Sequence, residues 1–483
     1  MPRVLNPYPA RLQSTSCRPA VVGTVGYRSR ARSLRQACRA PRLGRWKPII
    51  TIPTGPAPSS DTTGDKLREL GAFEQVFHHF IHRNPTHFSL SIHLDGSPGQ
   101  ERLRSALVEL QGVHPLLAAT VADGDVDAEG SPTFRHVAAP VPLVTSPLGT
   151  TWQQVVAQEQ ARPFETASGP LWRMTLIGAD GAGATIPGTF STLVMTFDHR
   201  IADGTAGVRV VRDLVAVLNG RHLPPEPLPA TQESLLDAVT DDLGPSGEPS
   251  GDRGGDQTVG QGDPRLAMPG ALRPFDGTEP EVTNVALDVG ATEALVGAAR
   301  THGVSVHAAL CAATTQVLQR AGRDYVRIIT PVDLRRTVGL RDDVAIRIVP
   351  TRTGIAAGNG EGFWNLAAAI GAGQTPARTP AAVLATSAAM QANLPPDPDA
   401  AEAGMLAIGS SDTYLTNLGV VDLPDSGPLH VVALEGLAMS VHIVGEQVLG
   451  ALTYRGELRM TNVTHAPIRS FLRDVVQVLR DVA

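Results

Sequence analysis

Apolar positions along the chain define two long stretches of mixed helix and strand behind an irregular start. Residues 65–83 (GDKLRELGAFEQVFHHFIH) predict a first element, and Phe88–Leu94 a short strand ended by the turn pair Asp95-Gly96. Leu103, Ala106, Leu107 and Leu110 recur at i, i+3, i+4 and i+7, which predicts an amphipathic helix. Ala118–Val121 predicts a strand, 151–161 a helix, and Leu171–Ile177 and Thr189–Thr196 two strands joined by a Gly- and Ala-rich turn. The second of these runs through FSTLVMTF, nearly all apolar, as a strand buried on both faces should be. A helix is expected from about Thr205 to Leu218, with Gly220 suited to its end.

Residues 244–264 break the pattern. They hold one aliphatic residue, Val259, and no aromatic, and read as a linker or exposed loop. Beyond it, Val282–Leu287 predicts a strand and Thr292–Thr301 a helix, and Ser305 suits the N-cap of another helix. Strands are expected at Val326–Pro331 and Ala345–Thr351, and helices at Phe363–Ala372 and Pro380–Ala392. Late strands fall at Tyr414–Leu418, Val431–Leu434, Ala438–Val444 and Val448–Tyr454. The last two flank Gly445-Glu446-Gln447 as a candidate hairpin, and residues 465–482 predict a terminal amphipathic helix. Strands and helices mix in both stretches without strict alternation, so the class is α/β with two domains of similar size. The expected division is a disordered basic extension over 1–62, a domain over 63–240, a Gly/Pro-rich linker over 241–280 and a second domain over 281–483.

Composition sharpens this picture. The chain has 483 residues, 42% hydrophobic and 18% charged, which suits large cores and excludes a disordered or fibrous protein. Residues 1–60 carry eleven basic residues and no acid, leaving 30 basic and 47 acidic groups in the rest. A globular part so acidic would repel phosphate, so no nucleic-acid partner is expected. The extension lacks the apolar segment of a secretory signal, and no run of 18 apolar residues predicts a membrane span; a cytoplasmic location is expected. Three cysteines (Cys17, Cys38, Cys311) make no disulfide framework, and no C-x-x-C pair suggests zinc. His78 and His82 share a helical face but lack a third ligand, so no metal is expected. Cys311, among alanines, reads as a buried inert thiol, and no G-x-S-x-G elbow points to a serine hydrolase.

The sharpest local feature is His199-x-x-x-Asp203-Gly204 at the end of the apolar strand. A strand end can hold an imidazole rigidly toward a neighbouring cavity, where the neutral ring can take a proton from a hydroxyl, amine or thiol. Asp203 can fix the turn or cap the following helix. Gly204 permits close approach, and its N–H can face a developing oxyanion. Alone, so short a motif also fits an ordinary strand-end turn.

It does not stand alone. VHPLLAATV (113–121), RPFETASGPLWRMTLI (162–177) and FDHRIADGTAG (197–207) resemble, in order and spacing, the HPLLRA, PFDL…GPLLR and HHxxxDG segments of nonribosomal-peptide condensation domains and their acyltransferase relatives. VSVHAALCAA (304–313), RIITPVDLRR (327–336) and YLTNLGVVDLP (414–424) resemble their second-half segments. Together with EGFWNLAAAI (361–370), they look most like polyketide-associated acyltransferases, such as phthiocerol/phthiodiolone dimycocerosyl transferases, and like alcohol acetyltransferases.

The resemblance, over about residues 68–480, implies two chloramphenicol-acetyltransferase-like domains forming a V, with an active-site tunnel at their interface. It implies His199 as general base, and Asp203 as a structural aspartate paired with an arginine. The candidate partner is Arg335, with Arg336 as fallback; a solvated surface charge is the plainer reading of Arg335. Thr416 and Asn417 could line the tunnel or simply form a strand-end turn. The first His of HHxxxDG is Asp198 here, whose carboxylate would raise the pKa of His199 if it faced inward. The DFGWG motif of peptide-forming domains is absent, which favours a free-standing O-acyltransferase. The expected reaction moves an acyl group from acyl-CoA or a carrier protein, such as that of a polyketide synthase, to an alcohol. It would proceed without acyl-enzyme or cofactor, in a monomer. An amide-forming enzyme and a non-catalytic acyl-chain or carrier-protein binding module are the alternatives.

Overall fold

The computed structural model describes residues 64–483 apart from 124–130, 148, 167, 179–189, 244–262, 359–361 and 425. The basic extension, the Gly- and Ala-rich turn near 179–189 and residues 244–262 of the linker therefore lie outside the described residues. Residues 61–483 form one compact unit.

Its first half runs β1 (Lys66–Glu69), α1 (Ala72–Ile81), β2 (His87–Leu94), α2 (Gln100–Val113), β3 (Ala119–Ala122), β4 (Thr133–His136), β5 (Leu143–Ser146), α3 (Trp152–Gln160), β6 (Trp172–Ile177), β7 (Ser191–Asp198), α4 (Gly204–Leu218) and α5 (Gln232–Leu243). The second half runs β8 (Glu281–Leu287), α6 (Val289–Thr301), α7 (Val306–Arg320), β9 (Tyr325–Asp333), α8 (Leu334–Val338), β10 (Ile348–Ala356), α9 (Phe363–Gln374), α10 (Pro380–Ala392), α11 (Pro398–Gly409), β11 (Thr413–Val420), β12 (Val431–Leu434), β13 (Ala438–Met439), β14 (Gln447–Tyr454), β15 (Glu457–Thr464) and α12 (Phe471–Val482).

Each half is built on a mixed sheet. The first has the order β12-β2-β7-β6-β5, and the second β10-β9-β11-β14-β15-β8; β1, β4 and β3 form a small third sheet. In β2, Phe88, Leu90, Ile92 and Leu94 point to the core shared with α2 and α4, while Ser89, Ser91 and His93 point the other way. The core of the second half gathers α6, α7, α9 and α12 on one face of its sheet. That leaves the opposite face, carrying Ile329, Pro331 and Tyr414, free to line a cavity.

The predicted hairpin around Gly445-Glu446-Gln447 is not formed. Ala438 and Met439 pair with Ser89 and Phe88 of β2, whereas β14 pairs with β11 and β15. The intervening chain is wound around a buried carboxylate instead. Glu446 accepts the N–H groups of Val441, His442 and Ile443 at 3.0–3.1 Å and the Ser440 hydroxyl at 3.1 Å. Thus β12 and β13 cross from the second half to complete the first half's sheet. The crossing needs two glycines: a Cβ at Gly436 would overlap the Gly450 carbonyl, and one at Gly450 the Leu437 carbonyl.

Other boundaries shift for local reasons. The first predicted element divides into β1 and α1. The strand expected at Ala345–Thr351 starts only at Ile348, because 343–347 is spent on side-chain bonding described below. The terminal helix begins at Phe471, after Ser470 turns into the left-handed region at φ 64°.

Candidate active site

Apolar β7 delivers His199 to a cavity between the sheet face of the second half and α1 and α4 of the first. The cavity encloses about 1260 Å³, its open mouth included. Its walls are mostly apolar. Phe73, Val76 and Phe77 of α1 face it on one side, and Ile329, Pro331 and Pro350 on the other. Asp203, Gly204 and Thr205 bring the start of α4 to the same space, and Thr416 and Asn417 reach it from β11.

His199 is 5% exposed, and its ring is fixed by packing. Phe77 stacks on it at 4.8 Å between centroids and Phe88 meets it edge-on at 5.4 Å. Nδ1 is enclosed without a well-formed hydrogen bond, which leaves Nε2 as the edge toward the cavity. Burial lowers the His199 pKa below the ordinary value; Asp203, nearby backbone oxygens and Asp198 oppose this without reversing it. The ring is therefore a neutral imidazole near pH 7.

Asp203 does three things at once. Its Oδ1 accepts the Ala206 N–H at 2.8 Å, capping α4. Its Oδ2 accepts Arg335 Nη1 at 2.8 Å and the Arg347 backbone N–H at 2.7 Å. Burial alone would raise this carboxyl, but Arg335 and the N–H donors hold it below the ordinary carboxylate range. Arg335 is 8% exposed and also donates to the carbonyls of Asp343 (3.1 Å) and Ala345 (2.9 Å). Arg347, fully buried, makes a bidentate pair with Asp343 and donates to Ala230 O at 2.9 Å. The loop after β7 is thus riveted to the second half through one aspartate.

The remaining predicted residues fall as follows. Gly204 sits where a Cβ would lie 2.8 Å from Leu418 Cδ2 and 2.8 Å from Leu437 Cδ1. The N–H groups of Gly204 and Thr205 open α4 and have no helical acceptor. Asn417 lines the cavity, yet its Oδ1 accepts the Gly419 N–H at 2.9 Å and so also forms the turn. Arg336 is mostly exposed at the cavity mouth, near Asp333, and makes no bond to Asp203.

Asp198 faces away from the reacting edge of His199. Arg200 grips it at 2.8 and 2.7 Å and donates its Nη1 to His78 Nδ1 at 3.1 Å. His78 Nε2 pairs in turn with Asp123 at 2.9 Å, so both of its ring nitrogens are engaged. His114 is likewise committed, to Asp213 at 2.8 Å. His442 is a buried packing residue and bonds Pro85 O at 2.9 Å. Sequence reasoning does not find Phe77, Arg347 or Asp343. No spacing rule marks them, because they meet the motif only through the fold.

Residues 276–343 match the family described as phthiocerol/phthiodiolone dimycocerosyl transferase C-terminus. One of the subunits of plipastatin synthase from Bacillus subtilis (strain 168) is 28% identical over 134 residues; these cover 28% of this chain and 5% of that protein, so the match spans only a small part of that relative. Three solved structures share the fold. Polyketide synthase associated protein 5 from Mycobacterium tuberculosis is 18% identical with a TM-score of 0.56, over 87% of this chain and 98% of that one. TRI3 trichothecene 15-O-acetyltransferase from Fusarium sporotrichioides is 13% identical with a TM-score of 0.58, over 86% and 94%. The first condensation domain of the CDA synthetase is 14% identical with a TM-score of 0.55, over 86% and 97%. The fold is that of condensation domains. The family match covers residues 276–343, and the solved structures show the fold over most of the chain. No described helix is long and apolar enough to cross a membrane.

Proposed function

We propose that this protein is an acyltransferase that moves an acyl group from a thioester to an alcohol, with His199 as general base. The observation that carries the reading is the neutral, packed imidazole of His199 on the wall of an apolar cavity, beside the open N-terminus of α4. The match of residues 276–343 to a transferase family and the acetyltransferase activity in the name of one structural neighbour support it.

The steps balance on the chain's own groups. Nε2 of His199 takes the proton of the acceptor hydroxyl as its oxygen attacks the thioester carbonyl carbon. The carbonyl oxygen gains negative charge, which the Gly204 and Thr205 N–H groups and the α4 dipole would stabilise. The carbonyl re-forms, the C–S bond breaks, and the leaving sulfur takes the proton back from His199. The products are an ester and a thiol. Asp203 is a positioning residue, since its oxygens are occupied by Ala206, Arg335 and Arg347. The donor is acyl-CoA or an acylated carrier protein, and no resident metal or cofactor takes part in the scheme.

The test is thiol release from acyl-CoAs with and without simple alcohols and amines. Alcohol-dependent release is expected, and its loss in His199→Ala. Release that needs an amine would make the enzyme amide-forming, and near-normal release by His199→Ala would remove the mechanism. Absence of release from CoA donors and an acylated carrier protein, beside tight acyl-chain binding, would make the protein a binding module.

A further inference from the structure

The reaction scheme leaves one charged residue of the His199 turn unused. Arg200 is 1% exposed, as is its counter-ion Asp198, and the two stand on either side of His199 in the chain. Arg200 occupies both oxygens of Asp198. Oδ1 accepts its backbone N–H at 3.0 Å and its Nε at 2.8 Å, and Oδ2 accepts its Nη2 at 2.7 Å. Asp198 is itself fixed in the sheet, opposite His87 of β2, and its N–H donates to Leu171 O at 2.8 Å. A planar guanidinium gripped in this way has its last nitrogen aimed by the other two. That nitrogen, Nη1, donates to His78 Nδ1 of α1 at 3.1 Å.

His78 is the chain neighbour of Phe77, and Phe77 is the ring stacked on His199. A closed loop results. It runs from His199 to Arg200 along the chain, across the hydrogen bond to His78, along the chain to Phe77, and back to His199 across the stacking contact. Among the described residues, this is the one hydrogen bond between α1 and the turn 198–203. Other polar ties of α1 lie near its start, where Glu74 accepts from Arg68 and the Phe73 N–H donates to Glu233 at 2.9 Å. Burial, aided by Arg200, holds the His78 pKa below its ordinary value. Its Nδ1 therefore accepts at neutral pH, while its Nε2–H donates to Asp123 Oδ1 at 2.9 Å.

We propose that Arg200 is a positioning residue for His199, which locks the turn carrying the imidazole to the helix carrying Phe77 through its bond to His78. The proposal rests on the acyltransferase reading for the reaction that it serves. Arg200 acts on turnover only through the placement of the His199 ring. The loop also gives Asp198 its place, because a buried guanidinium needs a counter-charge. Lysine would not replace the arginine, since a point charge on a flexible stem cannot hold Asp198 by two bonds and His78 by a third in fixed directions.

The test uses His78→Leu and His78→Gln in the full chain, because both leave the buried Asp198–Arg200 pair intact, with circular dichroism to check folding. Thiol release gives kcat and KM, and hydrogen exchange is followed over residues 72–81 and 198–203. His78→Leu removes the acceptor. It should lower kcat about ten- to a hundredfold with KM little changed, because a small misplacement of a catalytic group falls on turnover. It should also raise exchange in both segments. His78→Gln, whose side-chain oxygen can accept from Nη1, should recover most of both effects. In a Phe77→Ala background His78→Leu should add little, since the loop is already open. Wild-type kcat in His78→Leu, equal losses in the two His78 variants, or losses that add fully to those of Phe77→Ala would overturn the proposal and leave the acyltransferase reading standing. Absence of thiol release from the wild type would remove that reading, and exchange would then decide. A joint rise in both segments keeps the loop as the support of His199, and a rise confined to α1 overturns it.

Discussion

His199 and His307 each offer an imidazole in a setting that invites a catalytic interpretation, and the contrast between them separates a site from a packing detail. His307 Nε2 lies 3.6 Å from the Cys311 thiol, a base beside a nucleophile. Yet Cys311 has no exposed surface, and burial pushes its thiol up to about 12 despite Gln374 and Arg378. Burial also pushes His307 down to about 3, with Arg378 adding to the shift. Cys311 sits in the core of the second half, with the half-buried His307 against it. His199 is also buried and also lowered, but its ring borders a cavity and its loop is fixed from outside by Arg335. Access and a rigid support, more than residue type, distinguish the two.

The strongest way to break the contrast is His199→Ala. It should lower turnover by about 10²–10⁴-fold while the fold persists, read by thiol release beside circular dichroism. Arg335→Met tests the support. It leaves Asp203 buried without its main counter-charge, and should cost about 3–5 kcal/mol in denaturant unfolding at pH 7. The sign with pH follows from the lowered pKa of Asp203. Its stabilisation is present above the unfolded value of about 3.8 and is lost as pH falls through the folded value, so the gap between variant and wild type should narrow in acid.

Gly204→Ala is a smaller change. The new methyl meets Leu418 and Leu437, and about 1–3 kcal/mol of lost stability or transition-state binding is expected from such crowding. A pH–rate profile sharpens the comparison further. Because burial lowers the His199 pKa, the acid limb of kcat/KM should lie below pH 6.5 and should move if Phe77→Ala admits water to the ring. Cys311→Ala should do least, with turnover within about twofold of wild type. An alkylating agent applied to the native protein should likewise leave activity intact.

Most of the elements that present the site are legible in the sequence. The apolar run into His199, the Asp203 cap and the helix to Leu218 follow from hydrophobic period and capping chemistry. The segment PVDLRR points to Arg335 only through its resemblance to the family's second-half segment, which implies an arginine partner for Asp203. What sequence period does not carry is long-range pairing. Glu446 looks like a hairpin turn residue, but it gathers three backbone N–H groups because β13 is drawn away to β2. The helix Pro398–Gly409 is alanine- and glycine-rich and shows no strong apolar stripe; only the Asp397 cap and Pro398 mark its start, and nothing in the hydrophobic pattern marks that Met405 and Ile408 line the cavity. Arg347 and Asp343 look like ordinary surface charges until the fold brings Asp203 between them and Arg335.

The crossing of β12 and β13 sets an order on synthesis. During translation the first half emerges with β2 as the bare edge of its sheet, and that edge stays open until residue 439 has left the ribosome. An exposed edge strand is a template for mispairing between nascent chains. Newly made chains would therefore pass through a period in which most of the molecule exists but one ladder still waits for its partner. Anything that slows elongation between residues 243 and 431 lengthens that exposure.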